Sequence, residues 1–204
     1  LSLRKQAEAR MDRLRGLTRT QELGRRIAKA FLDVADVIAQ DIRTDVPLVH
    51  LVRQVDLPMQ SVTEAEYAVA KKVCDEIDAK PERRGWDTWV RRLYGGVCDR
   101  YLAQQQGQGV YSMEMHVLRL GDVAIATNEF ELYTDFGVQM KARSPAVQTF
   151  LIQLTGSAGY LPTERSVRGG GYGAVIQSSR VGPDGGQVLV ERTVEAFREL
   201  WAEQ

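Results

Sequence analysis

One stretch decides the fold of this chain: residues 117–174, VLRLGDVAIATNEFELYTDFGVQMKARSPAVQTFLIQLTGSAGYLPTERSVRGGGYGA. Its apolar runs at 117–120 and 123–126 are separated by Gly121-Asp122, a pair that favours a tight hairpin turn. We therefore expect two antiparallel strands. The run 149–154 is apolar, rich in strand-forming residues and too short for a typical helix, so it predicts a buried strand.

A helical period follows the second strand and begins near Glu131. The residues that carry this period are spaced four apart, as on one face of a helix; they are Leu132, Phe136 and Met140. We therefore expect Glu129 and Glu131 at a strand-to-helix junction, where free backbone N–H groups favour negative charge. Ser144-Pro145 supplies the stop signal of this helix.

A carboxylate and a phenol stand at the ends of two predicted strands. Glu131 follows one strand, and Tyr160 lies in the loop after the strand at 149–154. These side chains can converge across neighbouring strands. The alternative is that Glu131 caps a helix and Tyr160 packs at the edge of the core, and the pattern leaves both interpretations open.

The order of motifs in this region resembles the C-terminal half of the catalytic region of the neutral/alkaline, non-lysosomal ceramidase-like family. The likeness is best over 117–174 and weaker over 18–60, and it extends over most of the chain. The residues that carry it are LGDVAIA at 120–126, NEFEL at 128–132, Gly137, Lys141, AGYLPT at 158–163, and Tyr172.

The resemblance implies a zinc site that is shared between two halves of a catalytic domain. In that family two histidines of the N-terminal half and one glutamate and one tyrosine of this half hold the ion. The glutamate lies six residues before a helix glycine, which is Glu131 counted back from Gly137. The tyrosine is followed twelve residues later by a second one that helps to hold the substrate, a spacing that Tyr160 and Tyr172 reproduce. Glu131 and Tyr160 are thus implied metal ligands, and Tyr172 an implied catalytic residue.

Two departures from the family pattern change this expectation. Phe130 replaces the glycine before the glutamate, so Glu129 competes with Glu131 as the ligand. The two ligand histidines and the serine implicated in amide cleavage have no counterparts, because the chain contains only His50 and His116. We therefore expect an incomplete Zn²⁺ site, to be completed by the N-terminal half of the same protein as a second chain or a missing region.

Two segments before residue 60 predict a long helix and a strand. Thr20 precedes an amphipathic helix whose apolar stripe we expect to pack on a sheet. Apolar residues alternate over 49–57 and end at Pro58, which predicts a half-buried strand. The stripe of the helix comprises Leu23, Ile27, Ala30, Phe31, Val34, Val37 and Ile38.

Helices dominate the centre and the end of the chain. Thr63 and Glu66 form a capping box that opens a helix to about residue 79, and a second helix is expected over about 86–106. A turn at 182–186 should precede a closing helix over 187–203. The predicted fold is therefore mixed α/β (α+β), with β-sheet layers packed between helices, as one half of a ceramidase-like catalytic domain.

Residues 1–204 are expected to form a single domain or the C-terminal half of a larger catalytic domain. The polar linker QQQGQG at 104–109 separates a helical part, about 1–106, from a β-rich part that bears the site, about 110–204. The chain opens on LSLRKQAEAR, without an initiator methionine or a signal peptide pattern, so we expect a processed or truncated polypeptide.

The charge balance excludes some partners. The 27 basic and 27 acidic residues cancel, so no global field recruits nucleic acid. No run of about 18 apolar residues is present, so no transmembrane segment is expected. The two cysteines have no metal-ligand spacing and leave the compartment undetermined.

Three functions compete. The first is a zinc-dependent hydrolase of the ceramidase-like class that cleaves an amide bond of a small-molecule or lipid substrate. The second is a non-catalytic scaffold that keeps the fold. The third is an unrelated α/β domain that binds a small ligand, for which Glu131 would be dispensable.

Overall fold

The computed structural model describes residues 2–82 and 84–202. The chain divides into two compact units, Leu1–Val46 and Pro47–Gln204. The division therefore falls before the first strand, whereas the sequence suggested a change from helical to β-rich structure near residues 106–110. A role as one half of a larger catalytic domain stays a prediction.

The first unit consists of α1 (Leu3–Arg15) and α2 (Arg19–Ile38). Thr18 begins α2 with a capping box to Gln21, two residues before the predicted start. Glu22 is fully buried and accepts hydrogen bonds from three guanidinium groups at 2.6–2.9 Å. Those groups belong to Arg15, Arg25 and Arg26.

Within its own compact unit the apolar stripe of α2 is exposed, and residues 2–46 contain no strand, so the expectation that the stripe packs on a sheet stays a prediction. Ile27 is 74% exposed and Phe31 is 61% exposed. The physical reason is that α1 and α2 face each other through charged groups, including a 3.0 Å ion pair between Arg19 and Glu8. Among residues 2–46, the large apolar side chains of the stripe therefore stay largely exposed.

A four-stranded sheet forms the centre of the second unit. Its strands are β1 (Leu48–Pro58), β2 (Val110–Leu120), β3 (Val123–Thr127) and β5 (Gln148–Ile152), in the order β1-β2-β3-β5. The first three are antiparallel neighbours, and β5 pairs parallel to β3. The predicted hairpin is confirmed: Gly121 has φ 57, a left-handed backbone that glycine adopts readily.

The helices of this unit are α3 (Glu64–Asp78), α4 (Gly85–Gln105), α5 (Thr134–Arg143), α6 (Glu164–Arg168) and α7 (Pro183–Ala202), with a short 3₁₀ turn at Tyr172–Ala174. Residues 182–186 were predicted to form a turn before the last helix, but α7 already begins at Pro183. Proline suits the first helical position because its missing N–H would have no partner there. The predicted end of this helix at Glu203 lies outside the described residues. Among the described residues, no helix is both long and apolar enough to cross a bilayer.

Helices α5 and α7 pack on one face of the sheet and close the main core. Its largest fully buried members include Phe130, Phe197, Leu57, Met113 and Met115. A smaller cluster, built on Val62, Ala70 and Val97, joins α3 and α4. The mixed α/β class predicted from the sequence is confirmed. The opposite face of the four-stranded sheet exposes Val52, Leu120, Phe150 and Ile152.

One buried cation ties the C-terminal helix to the sheet. Arg119 of β2 is 5% exposed and donates a hydrogen bond to the carbonyl of Leu200 at 2.9 Å. Its guanidinium carbon lies 4.5 Å from the ring centroid of Trp201. A guanidinium over an indole face is a favourable cation–π contact, so the last turns of α7 shield this charge.

Candidate functional site

Glu131 and Tyr160 face each other in a separate two-stranded parallel sheet. This sheet consists of β4 (Phe130–Leu132) and β6 (Gly159–Leu161), and Glu131 is the register partner of Tyr160. The sequence predicted a helix start at Glu131, and this was wrong, because α5 begins only at Thr134. Phe130 and Leu132 are both buried, so alternate residues of this segment point into the core as they do in a strand.

The backbone around β4 is fixed by polar side chains and by the loop after β5. The N–H of Phe130 donates to the side-chain oxygen of Asn128 at 3.1 Å, and the N–H of Leu132 donates to that of Gln153 at 2.8 Å. The N–H of Leu154 donates to the carbonyl of Phe130 at 3.3 Å. Leu154 has φ 60, a strained region for a residue with a side chain, and such strain often accompanies functional sites.

The carboxylate of Glu131 changes the pKa of the Tyr160 phenol. A hydrogen bond to Glu131, aided by burial, raises the pKa of Tyr160 above its ordinary value of 10.0. The ring of Tyr172 lies edge-on to that of Tyr160, with centroids 5.8 Å apart and planes at 80°. Tyr172 is 66% exposed, so most of this residue lies open to solvent. The structure therefore brings together the three residues that the sequence proposed for the site.

A glycine allows this close packing of tyrosines. A Cβ atom at Gly173 would lie 2.7 Å from the ring of Tyr160 and 2.8 Å from the hydroxyl oxygen of Tyr133. Tyr133 also contributes to the raised pKa of Tyr160. A shallow pocket of about 350 Å³ opens here, lined by Glu131, Leu132, Tyr133, Thr134, Gln153, Leu154 and Tyr160.

Glu129 has a different environment. Its carboxylate accepts a 2.5 Å hydrogen bond from the hydroxyl of Tyr111. Burial and this hydrogen bond raise the pKa of Tyr111 to about 12. A Cβ atom at Gly156 would lie 2.5 Å from the Glu129 carboxyl carbon, so this loop lies directly on the side chain. Of the two competing glutamates, Glu131 is therefore the one beside Tyr160.

The two histidines lie on the four-stranded sheet. His50 Nε2 is 2.9 Å from His116 Nδ1, and His116 Nε2 is 2.9 Å from a carboxylate oxygen of Glu114. The two imidazole rings stack with centroids 5.1 Å apart. Over residues 2–82 and 84–202, no three His, Cys, Asp or Glu side chains converge as a metal site. Glu131 and Tyr160 are two adjacent oxygen donors on neighbouring strands.

Sequence reasoning missed Tyr133 and Gln153 as parts of this site. Tyr133 lies two residues after Glu131, the spacing that places side chains on one side of a strand. The alternation of the apolar residues Phe130 and Leu132 was the sequence signal for a strand here. It was obscured because Leu132 also begins the four-residue spacing that indicates a helix. The contact of Gln153 with the backbone of β4 carries no sequence signal, because it depends on how the loop after β5 folds back.

Comparison with known proteins gives a partial likeness to a solved structure. No family model and no curated protein matches this chain. Among solved structures, the chain is similar to a ceramidase complexed with C2, with 16% sequence identity and a TM-score of 0.37. The likeness covers 43% of this chain and 15% of the ceramidase chain. A similarity of this extent assigns no activity to the chain.

Proposed function

We propose that this chain contributes part of the active site of a zinc-dependent hydrolase, of the neutral ceramidase-like class, that cleaves an amide bond. The observation that carries the proposal is the direct pairing of Glu131 with Tyr160 across β4 and β6. These are the residues that the sequence resemblance implies as metal ligands. The third residue it implies, Tyr172, contacts Tyr160 edge-on.

The donor set fits half of a zinc site. Zinc sites in proteins are usually four-coordinate, and a catalytic site keeps one position open for water or substrate. Glu131 supplies a carboxylate oxygen and Tyr160 a phenolic oxygen. Histidines from the N-terminal half of the same protein, as a second chain or another region, would supply the rest.

The residues of this chain have separable roles in the proposed reaction. Zinc, when bound, lowers the pKa of a coordinated water towards about 7 and so makes hydroxide available at neutral pH. The hydrogen bond to Glu131 raises the pKa of Tyr160, so ligation of a metal by the phenolic oxygen would require the phenol proton to leave. The exposed hydroxyl of Tyr172 can donate a hydrogen bond to the amide carbonyl oxygen as that oxygen gains negative charge.

The proposed substrate is a small-molecule or lipid amide. The pocket beside Glu131 is shallow and open, and it is lined by apolar as well as polar groups, including Leu154 and Tyr133. Such a surface can hold one end of a substrate while a second surface encloses the remainder. This requirement agrees with a site completed by another half.

The decisive test compares Glu131→Gln and Tyr160→Phe with the unaltered protein, purified from its own source together with any partner region. We expect both substitutions to reduce bound zinc and amide hydrolysis by at least roughly tenfold. Metal loading should also produce the tyrosinate absorbance in the unaltered protein, and this signal should be absent in Tyr160→Phe. Zinc content is measured by elemental analysis.

Glu129→Gln is the matched control, since Glu129 lies one residue from β4 but bonds to Tyr111. It should keep its zinc and its activity. If Glu131→Gln and Tyr160→Phe both retain metal and activity, the hydrolase proposal is wrong. The alternative of a non-catalytic scaffold or a small-ligand-binding α/β domain would then stand.

A further inference from the structure

A second cavity, lined by arginines, lies behind the candidate site. It has a volume of about 220 Å³ and is bounded by α4, by the loop before β6 and by the loop before α7. Gly159 lines this cavity, and the next residue, Tyr160, lines the shallow pocket of the candidate site. Its walls carry three guanidinium groups and no carboxylate among the described residues; these groups belong to Arg92, Arg100 and Arg180.

Arg100 is buried, and not all of its guanidinium nitrogens have hydrogen-bond partners. It is 6% exposed, and its two terminal nitrogens donate to the carbonyls of Ser179 and Ile176, each at 2.8 Å. Its Nε is buried and has no hydrogen-bond partner. Leaving a buried polar donor without a partner is costly, and a buried charge without a counterion is costlier still.

The surrounding charges offset the burial of Arg100 only in part. Burial, with a smaller contribution from Arg180, lowers the pKa of Arg100 to about 10 against the opposing influence of Glu66. The Glu66 carboxylate itself caps α3 by bonding to Thr63. Over residues 2–82 and 84–202, neither Arg92 nor Arg180 forms an ion pair with a carboxylate. The cavity thus gathers three guanidinium groups in a lining that, among the described residues, contains no carboxylate.

The shape and chemistry of the cavity suit a small oxyanion. Guanidinium groups form paired hydrogen bonds with the oxygens of phosphate and carboxylate groups. Since one water occupies about 30 Å³ of liquid volume, a cavity of this size holds a phosphate-sized group with a few waters. Ser157 and Gln177 add neutral polar groups to the lining.

We propose that this cavity binds a phosphate group, with Arg100 as the buried anchor and Arg92 and Arg180 as the exposed arms. The phosphate belongs either to a soluble molecule or to a lipid headgroup, and the recognition chemistry is the same for both. This site is separate from the pocket of Glu131, so it does not depend on the proposed hydrolase activity.

The test measures binding to the full chain with two probes. Inorganic phosphate is titrated by calorimetry at constant ionic strength, with chloride as the replaced anion. Vesicles of phosphatidylcholine, with and without phosphatidic acid, are tested by flotation. The variant Arg92→Gln/Arg180→Gln removes two exposed side chains, so it should fold normally, and circular dichroism checks this. Arg192→Gln removes a positive charge outside the cavity, where Arg192 pairs with Glu195.

We expect the double variant to weaken phosphate binding by roughly tenfold or more, because hydrogen bonds to charged groups are lost. Arg192→Gln should bind like the unaltered chain. Binding of inorganic phosphate that depends on the two arginines supports a soluble ligand, and arginine-dependent binding to phosphatidic acid vesicles alone supports a lipid headgroup. The proposal is wrong if neither probe binds, or if the double variant binds as well as Arg192→Gln.

Discussion

Gly185 shows how little space separates the start of α7 from the end of β1. A Cβ atom at this position would lie 2.8 Å from the carbonyl oxygen of Pro58 and 2.2 Å from a methyl group of Val181. A backbone oxygen cannot move aside as the end of a flexible side chain can. We therefore expect Gly185→Ala to lower the free energy of unfolding by roughly 1–3 kcal/mol, as overpacking does in other cores. Urea denaturation measures this change.

The matched control is Gly96→Ala in α4. A Cβ atom at Gly96 would meet no atom within 4 Å. Alanine restricts the unfolded chain and favours a helix interior, so this variant should gain about 0.5–1 kcal/mol. Equal effects of the two substitutions would contradict the tight approach at Gly185.

At the scale of elements, Arg143 links α5 to Glu191 of α7. Two guanidinium nitrogens donate to the two carboxylate oxygens at 2.6 and 2.5 Å. The hydrogen bonds from Arg143, with a further one from Gln187, lower the pKa of Glu191 from 4.5 to about 2. The contribution of this pair to stability is therefore complete above about pH 4.5 and is lost as the pH falls towards 2.

We expect Glu191→Gln to lower the free energy of unfolding at pH 7 and to make progressively less difference as the pH falls from about 4.5 towards 2, where the folded-state carboxylate itself takes up its proton. Denaturant titrations at several pH values measure the gap between the two proteins. Glu195→Gln on the same helix is the control, because Glu195 forms an exposed pair with Arg192. If the difference in free energy of unfolding between Glu191→Gln and the unaltered protein stays constant down to pH 2, the lowered pKa of Glu191 is contradicted.

Short sequence patterns predicted those turns and helix starts that depend on only a few neighbouring residues. The Gly121-Asp122 hairpin and the capping box of Thr63 with Glu66 both appear as expected. The strand at Glu131 could not be predicted, because its three residues are held by pairing with Tyr160, nearly thirty positions away in the sequence. The pattern left the convergence of Glu131 and Tyr160 as one of two interpretations, and the family resemblance implied it, whereas the burial of Arg100 depends on carbonyls that only the folded chain brings near it.

At the scale of the whole molecule, the cores lie within the second compact unit. Every member of the two hydrophobic clusters comes from residues 49–201. We therefore expect a shortened chain of residues 47–204 to fold cooperatively, with a thermal midpoint within a few degrees of that of the complete chain. Calorimetry compares the two, and loss of cooperative unfolding in the shortened chain would contradict this independence.

The contact of Arg119 with the end of α7 has a consequence for handling the protein. A carboxypeptidase that removes the chain as far as Trp201 would strip the indole from a guanidinium that is 5% exposed. Digestion should therefore slow sharply at Trp201 while the sheet is folded. It should proceed freely once the sheet has unfolded. Affinity tags and fluorescent labels should accordingly leave the last turn of α7 intact.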